Sequence, residues 1–415
     1  MELQRLMKLP LLQLSQVCSR WRRLVVDTPG LWSSIQGVCR LWPGSKKEQI
    51  LEILQTIMDR SGNLPLTIEI ETHPGHTLEL APLAQSSERW ETVSFTGAVI
   101  YLRPISSVQG RLPLLKSLEL RSWGTERLAL GAFAVAPRLT ELRIGGFIEG
   151  LERLPLHQIR RLTMVNTWIL NTEHPMTIIP HFTNLDTLDL QFYNGTNRLP
   201  LPVHDFHSLS LPISSLEIGF HDEFLPTHDR QLLEDLFACF TLPLLGTFRL
   251  TSQTYPTVPL AWPHAEFLSL SFRSAFHSHL RVLDLAHVIL SPIELSQLLQ
   301  SLQSLESLAI SDPPPTSAFP AVVTDTLLHD LTLEPPVRLV PHLWSIRLVT
   351  RLQFTDRILL DFVSSRLGAR QFATTVHWFA GDGRKFEADA ATHVRKLIVG
   401  GRGTFEAREL ADGDR

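Results

Sequence analysis

Leu115-Lys-Ser-Leu118-Glu-Leu120, Leu139-Thr-Glu-Leu142-Arg-Ile144 and Leu280-Arg-Val-Leu283-Asp-Leu285 are three copies of one unit, L-x-x-L-x-L. Side chains alternate along an extended backbone, so the last two apolar residues of each copy share one face of a strand. The residue between them points to the other face. The unit returns at Ile159/Leu162/Met164, Leu185/Leu188/Leu190, Ile213/Leu216/Ile218, Leu245/Phe248/Leu250 and Leu305/Leu308/Ile310. A degenerate copy, Trp90/Val93/Phe95, precedes these, and later copies are expected at Leu343/Ile346/Leu348 and Ala373/Val376/Trp378. The closing apolar positions 95, 120, 144, 164, 190, 218, 250, 285 and 310 differ by 25, 24, 20, 26, 28, 32, 35 and 25. Most of these fall in the period of about 20–29 residues typical of leucine-rich repeats, and the longer ones leave room for a helix. One such strand cannot bury its apolar face alone, so the copies must stack. The expected fold is therefore α/β: a leucine-rich-repeat-like solenoid with a curved parallel sheet and helices outside.

Helix signals lie between the strands. Ser291-Pro-Ile-Glu294 is a capping box with Pro at the first helical position, opening a helix through Leu299. Thr227 is expected to cap His228–Phe240, with Leu232, Leu233, Leu236 and Phe237 in one stripe. Thr355 is placed to cap Asp356–Arg366, where Ile358, Leu359, Phe362 and Val363 face inward, and Thr324 to cap Asp325–Asp330. Trp262–Phe272 carries both a strand-like alternation and helical length, and its closeness to Leu283 favours helix. Leu331/Leu333 reads equally as a helix end or a short strand.

Ahead of the repeats, helical signals run from Leu11 to about Val26. They resume at Ser45-Lys-Lys-Glu48, a second capping box, for a helix to about Arg60 with Ile50, Ile53, Leu54 and Ile57 in one stripe. Gly62 suits its C-terminal cap, and Leu66, Ile68 and Ile70 then mark a first strand over 64–70. Leu14-Ser-Gln-Val17-Cys18-Ser-Arg-Trp21-Arg-Arg-Leu24, followed by Thr28-Pro29-Gly-Leu31-Trp32-Ser-Ser-Ile35, resembles the second half of an F-box of the fungal type. The resemblance is close over residues 11–70 and looser through the repeats. It implies docking on the Skp-type adaptor of a cullin–RING ubiquitin ligase, with protein substrates presented for ubiquitin transfer. By that likeness Leu14, Val17, Cys18, Trp21 and Leu24 belong to the adaptor-binding helices, and Leu31 and Trp32 close their edge. The family's L-P-x-E-type opening is only partly matched by Met1–Leu9. Two readings stay open: a chain start placed too late, or a relic F-box on a stand-alone protein-binding scaffold. The same aromatic and aliphatic residues also fit a cap over the end of the repeat core. The expected division is 1–36 partial F-box helices, 37–63 linker helix, 64–404 repeats, and 405–415 a frayed, disordered tail.

Composition narrows the function. Thirty-eight basic against 42 acidic residues leave a net charge of −4, with no basic face, so nucleic acid is not an expected partner. No apolar run reaches the roughly 18–20 residues that span a bilayer, and Leu9–Cys18 is too polar for a signal peptide, so no membrane partner is expected. Cys18, Cys39 and Cys239 form neither a disulfide framework nor a zinc set. They fit a reducing compartment, cytoplasmic or nuclear. No nucleophile elbow, phosphate loop or H-E-x-x-H occurs, and the pairs His73/His76, His204/His207 and His277/His279 have no accompanying Cys, with Asp205 beside His204 the only adjacent carboxylate. Gly381/Gly383 and Gly400/Gly401/Gly403 read as a turn and a helix end. The expectation is no enzyme, no cofactor and no metal.

Binding is expected instead on the solvent face of the sheet. The middle residues of the units point there: Glu119, Arg143, Thr163, Asp189, Glu217, Arg249, Asp284 and Ala309. The charged members, Glu119, Arg143, Asp189, Glu217, Arg249 and Asp284, mix both signs and suit a polar protein ligand. Trp123, Phe147, Trp168 and Phe192 follow the strand ends, where such rings more often roof the core than anchor a ligand.

Overall fold

Alternation makes the repeat units strands, and every pairing between the described strands named here is parallel. In the computed structural model of the chain the described residues are 10–39, 47–72, 81–97, 107–122, 127–169, 178–192, 209–221, 226–252, 260–313, 319–332, 339–367, 372–379 and 403–410. The fold is α/β, built in two units, Met1–Leu185 and Asp186–Arg415.

The first unit opens with helices α1 (Pro10–Val17) and α2 (Ser19–Val26). Then come β1 (Ser34–Cys39), α3 (Lys47–Arg60), β2 (Leu66–Thr72), α4 (Ala81–Gln85), β3 (Trp90–Gly97), β4 (Ser117–Ser122), β5 (Arg127–Ala129), β6 (Glu141–Glu149) and β7 (Arg161–Ile169). Its sheet runs β1-β2-β3-β4-β6-β7, with β5 pairing the end of β6. Where the repeats are short, single 3₁₀ turns such as Leu130–Phe133 and Leu151–Arg153 replace helices.

The second unit contains β8 (Thr187–Phe192), β9 (Leu209–Ser210), β10 (Ser215–Phe220), α5 (Pro226–Cys239), β11 (Phe240–Thr241), β12 (Thr247–Ser252), β13 (Leu260–Ala261) and α6 (His264–Ser274). It continues with β14 (Val282–Ala286), β15 (Val288–Ile289), α7 (Pro292–Ser301), β16 (Ser307–Ser311), α8 (Asp325–Asp330), β17 (Ser345–Thr350), α9 (Asp356–Leu367), β18 (Phe372–Phe379) and β19 (Gly403–Leu410). Its main sheet runs β8-β10-β12-β14-β16-β17-β18-β19, and β9/β11 and β13/β15 form two small ribbons.

Register follows the leucines. Leu188, Leu216, Phe248, Leu283, Leu308 and Ile346 pair strand to strand, as do Leu118, Leu142 and Leu162, and all are buried. The first leucine of a unit closes a turn: the N–H of Leu139, Leu185, Leu245, Leu305 and Leu343 each donates to the carbonyl three residues earlier. The next residue's carbonyl then receives two N–H groups from the following repeat. Ser214 O, for example, accepts from Gly246 N at 2.9 Å and Thr247 N at 3.0 Å, and Gly246 O accepts from Arg281 N and Val282 N. This repeated fork fixes register, because a slip by one residue would turn every leucine toward solvent.

The helices largely start where their caps predict. Glu294 N donates to Ser291 Oγ at 3.2 Å and Ser291 N to Glu294 Oε2 at 2.8 Å, completing the box on α7. Thr324 Oγ1 caps α8 by accepting from Leu327 N. Residues 264–274 are helical, which buries Phe267 and Leu270 and leaves Phe272 exposed. Gly62 closes α3 at φ +56°, and Leu331 is the C-cap of α8. Ser45 and Leu333 lie outside the described residues. Thr227 falls inside α5, which starts at Pro226. Thr355 spends its N–H and its hydroxyl on Asp325 Oδ1, tying α9 to the start of α8.

Three expectations need correction. Residues 34–39, assigned to helical and linker segments, form β1, pairing Ile35 with Ile68, and both are buried. Gly403–Leu410 is a strand and not a helix end running into a frayed tail: polar composition hid its pairing with β18, whose backbone ladder does not depend on leucines. The last repeat is displaced by two residues. Thr374 and Val376, not Val376 and Trp378, pair with Ile346 and Leu348. A shift of two preserves which face each residue takes, so alternation alone could not reveal it.

Candidate functional site

The first candidate surface is the N-terminal helical pair. Cys18 has extended backbone (φ −160°, ψ 171°) and separates α1 from α2. Val25 is the buried residue of α2, and Trp32 clamps it to the unit by donating its indole N–H to Val25 O at 2.6 Å. The Arg60 guanidinium lies 4.5 Å from the centroid of the Trp32 ring. Trp32 is therefore core, 1% exposed, and not part of an accessible edge. Its polar handle found a backbone partner, which favours burial of the ring.

Its neighbours differ. Val17 is 64% exposed, Leu24 57%, Trp21 47% and Leu31 40%. Cys18 is exposed and Leu14 half-buried. Trp21 and Leu24, three residues apart, share a face of α2. Arg20, Arg22 and Arg23 are exposed beside them. Burying an aliphatic or aromatic side chain is worth about 1.5–3 kcal/mol, and Val17 and Leu24 forgo more than half of it, Trp21 and Leu31 somewhat less. All four lie within fifteen residues of sequence, on α1, α2 and the turn after α2.

The second surface is the solvent face of the sheet, on which the predicted middle residues stand in rows. Ser94, Glu119, Arg143 and Thr163 pair across β3, β4, β6 and β7. Glu119 Oε2 accepts from Ser94 Oγ at 2.9 Å, while Oε1 lies 2.8 Å from Arg121 Nε and 3.3 Å from Arg143 Nε. In the second unit Asp189, Glu217, Arg249, Asp284, Ala309 and Arg347 occupy successive strands. Arg249 Nη1 is 3.8 Å from Glu217 Oε2, and Arg347 Nη2 donates to Asp284 Oδ2 at 2.7 Å across the small Ala309. Burial pushes the Asp284 carboxyl above its ordinary range, opposed by Arg347 and Arg249. Asp189 accepts from the Gln191 amide, which also meets the His221 ring. Gly219 makes room for Gln191: a Cβ there would lie 2.1 Å from its Oε1.

The face thus brings Glu217, Arg249 and Asp284 into one group and Glu119 with Arg143 into another. Thr163 and Ala309 share the rows but are buried. Arg121 and Arg347 are the partners that sequence reasoning missed. Arg121 lies two residues past Glu119 on the same face, and Arg347 is the middle residue of the Leu343 repeat, so the same alternation locates both.

Phe192 stacks on buried Phe220 at 5.3 Å and roofs the core. Phe147 and Trp168 belong to β6 and β7 rather than to loops after them, and Trp123 lies outside the described residues. His277 packs against the Phe272 ring at 5.3 Å, and His279 Nδ1 lies 3.4 Å from Ser278 Oγ; His73, His76, His204 and His207 lie outside the described residues. Among the described residues no three His, Cys, Asp or Glu side chains gather as metal ligands, and no helix is long and apolar enough to cross a membrane. No protein-family model matches the chain, and no curated protein matches it.

Proposed function

We propose that this chain is the substrate-recognition subunit of a cullin–RING ubiquitin ligase. It docks the Skp-type adaptor through α1 and α2 and binds protein targets on a leucine-rich-repeat solenoid. The observation that carries this reading is that Val17, Trp21, Leu24 and Leu31 are exposed apolar residues, while Val25 and Trp32 anchor α2. The resemblance of Val17-Cys18-Ser-Arg-Trp21 and Pro29-Gly-Leu31-Trp32 to the F-box gives those residues their partner. Trp is among the residue types enriched in protein-binding hot spots.

The test is co-purification of the full chain, and of an upstream-extended form, with the Skp-type adaptor. Retention is expected, with a loss of about thirtyfold or more in affinity for Trp21→Ala, the size of a hot-spot truncation. Ile293→Asp, at an apolar residue 71% exposed on α7, is expected to leave retention unchanged. No retention of either form would remove the ligase from the reading and leave a repeat scaffold.

A further inference from the structure

In the second unit Asp284 lies recessed between two arginines: its side chain is 15% exposed, against 45% for Arg249 and 54% for Arg347. Arg249, Asp284, Ala309 and Arg347 are consecutive in register, on strands spaced about 4.8 Å apart. The methyl side chain of Ala309 lets Arg347 reach across it to Asp284. Most donors of the two guanidiniums remain unspent among the described residues. Arg347 makes a single side-chain hydrogen bond, and Arg249 has its paired acid at 3.8 Å, beyond hydrogen-bond distance.

Stability does not account for this arrangement. Exposed ion pairs contribute about 0–1 kcal/mol, and here the acid is partly desolvated as well. What the recessed carboxylate does supply is orientation, fixing one guanidinium and drawing in the other. The first unit repeats the pattern on its own sheet, with Glu119 at 22% exposure between Arg121 at 31% and Arg143 at 41%.

We propose that Arg249 and Arg347 form a cradle for an anionic side chain of the target polypeptide, a carboxylate or a phosphorylated hydroxyl, with Asp284 as their positioning residue. This rests on the reading of the sheet face as the target surface. A guanidinium fork matches both oxyanions and binds them in pairs of charge-assisted hydrogen bonds. Thr247 and Ser345, two residues earlier on the same strands and face, add neutral donors beside the cradle. Glu217 is the group the ligand must displace, and its 3.8 Å separation from Arg249 makes that a loose pair.

The experiment uses the full chain and oriented random peptide libraries with a fixed central Glu, phosphoserine, Ser or Lys. Enrichment of the Glu or phosphoserine library of about tenfold over Ser is expected, the equivalent of one good charge-assisted contact. The two anionic arms decide which oxyanion is preferred. The double variant Arg249→Gln/Arg347→Gln is expected to abolish the enrichment, while Arg281→Gln, at an exposed residue just ahead of β14 and outside the cradle, preserves it. Equal capture of all four libraries, preference for Lys, or enrichment surviving the double variant would overturn the proposal. Adaptor retention by the same variants is read separately. A chain that prefers anionic peptides yet fails to hold the adaptor refutes the ligase reading and keeps the cradle.

Discussion

Replacing Asp312 by Ala removes the side chain on which the end of β16, the 319–323 segment and the end of β17 all converge. Asp312 is fully buried. Its Oδ1 accepts from Val322 N at 2.6 Å and Val323 N at 2.9 Å, and its Oδ2 from Arg351 N at 2.9 Å and Thr350 Oγ1 at 3.0 Å. Burial pushes this carboxyl up, and the four donors pull it back. In the alanine variant the Thr350 hydroxyl can turn elsewhere, but three backbone N–H groups cannot. Each buried orphan costs about 1–3 kcal/mol, partly offset because a desolvated carboxylate has gone. The net expectation is a loss of about 3–5 kcal/mol, the scale of breaking a buried charge network. Asp312→Asn keeps an oxygen for Val322 and Val323 but turns an amide N–H toward Arg351 N, and is expected to cost about 1–2 kcal/mol. Urea unfolding gives the energies, and hydrogen exchange at Val322, Val323 and Arg351 shows whether those amides open first. An alanine variant within about 1 kcal/mol of the parent, or unchanged exchange at all three, refutes the reasoning.

Two further outcomes are expected. Gly145→Ala places a Cβ 2.7 Å from Val165 O and 3.1 Å from Arg121 Cγ, so the β6–β7 ladder must shift. The cost is about 1–3 kcal/mol, read as a fall in melting temperature, and a variant as stable as the parent sinks the argument. Asp284 has its folded pKa raised, so the folded state holds the proton more tightly than the unfolded chain. That group's contribution therefore improves as pH falls from above the folded pKa toward the ordinary carboxyl value, and is least favourable when ionised. Asp284→Asn is expected to remove this slope, gaining on the parent near neutrality and losing that advantage in acid. A gain that grows as pH falls contradicts it.

Strand positions were legible because two local signals agree in each copy. Leu245, Phe248 and Leu250, for instance, combine period-2 alternation with the turn that Leu245 N closes onto Leu242 O. Alternation also placed Arg249 and Asp284 on the solvent face without any tertiary information. Whether they meet was not legible, since Arg347 reaches Asp284 from 63 residues away. Trp32 shows the same limit from the other side. Its motif fixes the residue type, but its burial depends on Val25 O and on Arg60. Residues 34–39 and 403–410 were missed because neither carries a leucine triad, so nothing local announces pairing that a neighbouring strand supplies. The network of Asp312 had no sequence signal: its donors lie 10 to 39 residues further along the chain.

These cases separate two uses of charge. Asp312 and Arg366 spend their polar atoms on the backbone: the buried Arg366 guanidinium donates to the carbonyls of Leu331, Leu339 and Val340, and burial lowers its pKa to about 10. Val340 holds a left-handed φ of +42°, a costly conformation for a β-branched residue, and its carbonyl is one that Arg366 holds. Substitution at either charge strands backbone groups that no neighbour can satisfy. The face residues spend their charge on one another, in pairs worth about 0–1 kcal/mol each. The sheet's solvent face can therefore change its charges with little effect on folding, while the anchors beneath cannot change. A surface whose sequence is that weakly constrained by stability is free to be shaped by what it binds, and in the second unit the two arginines of its central group are more exposed than the acids they face.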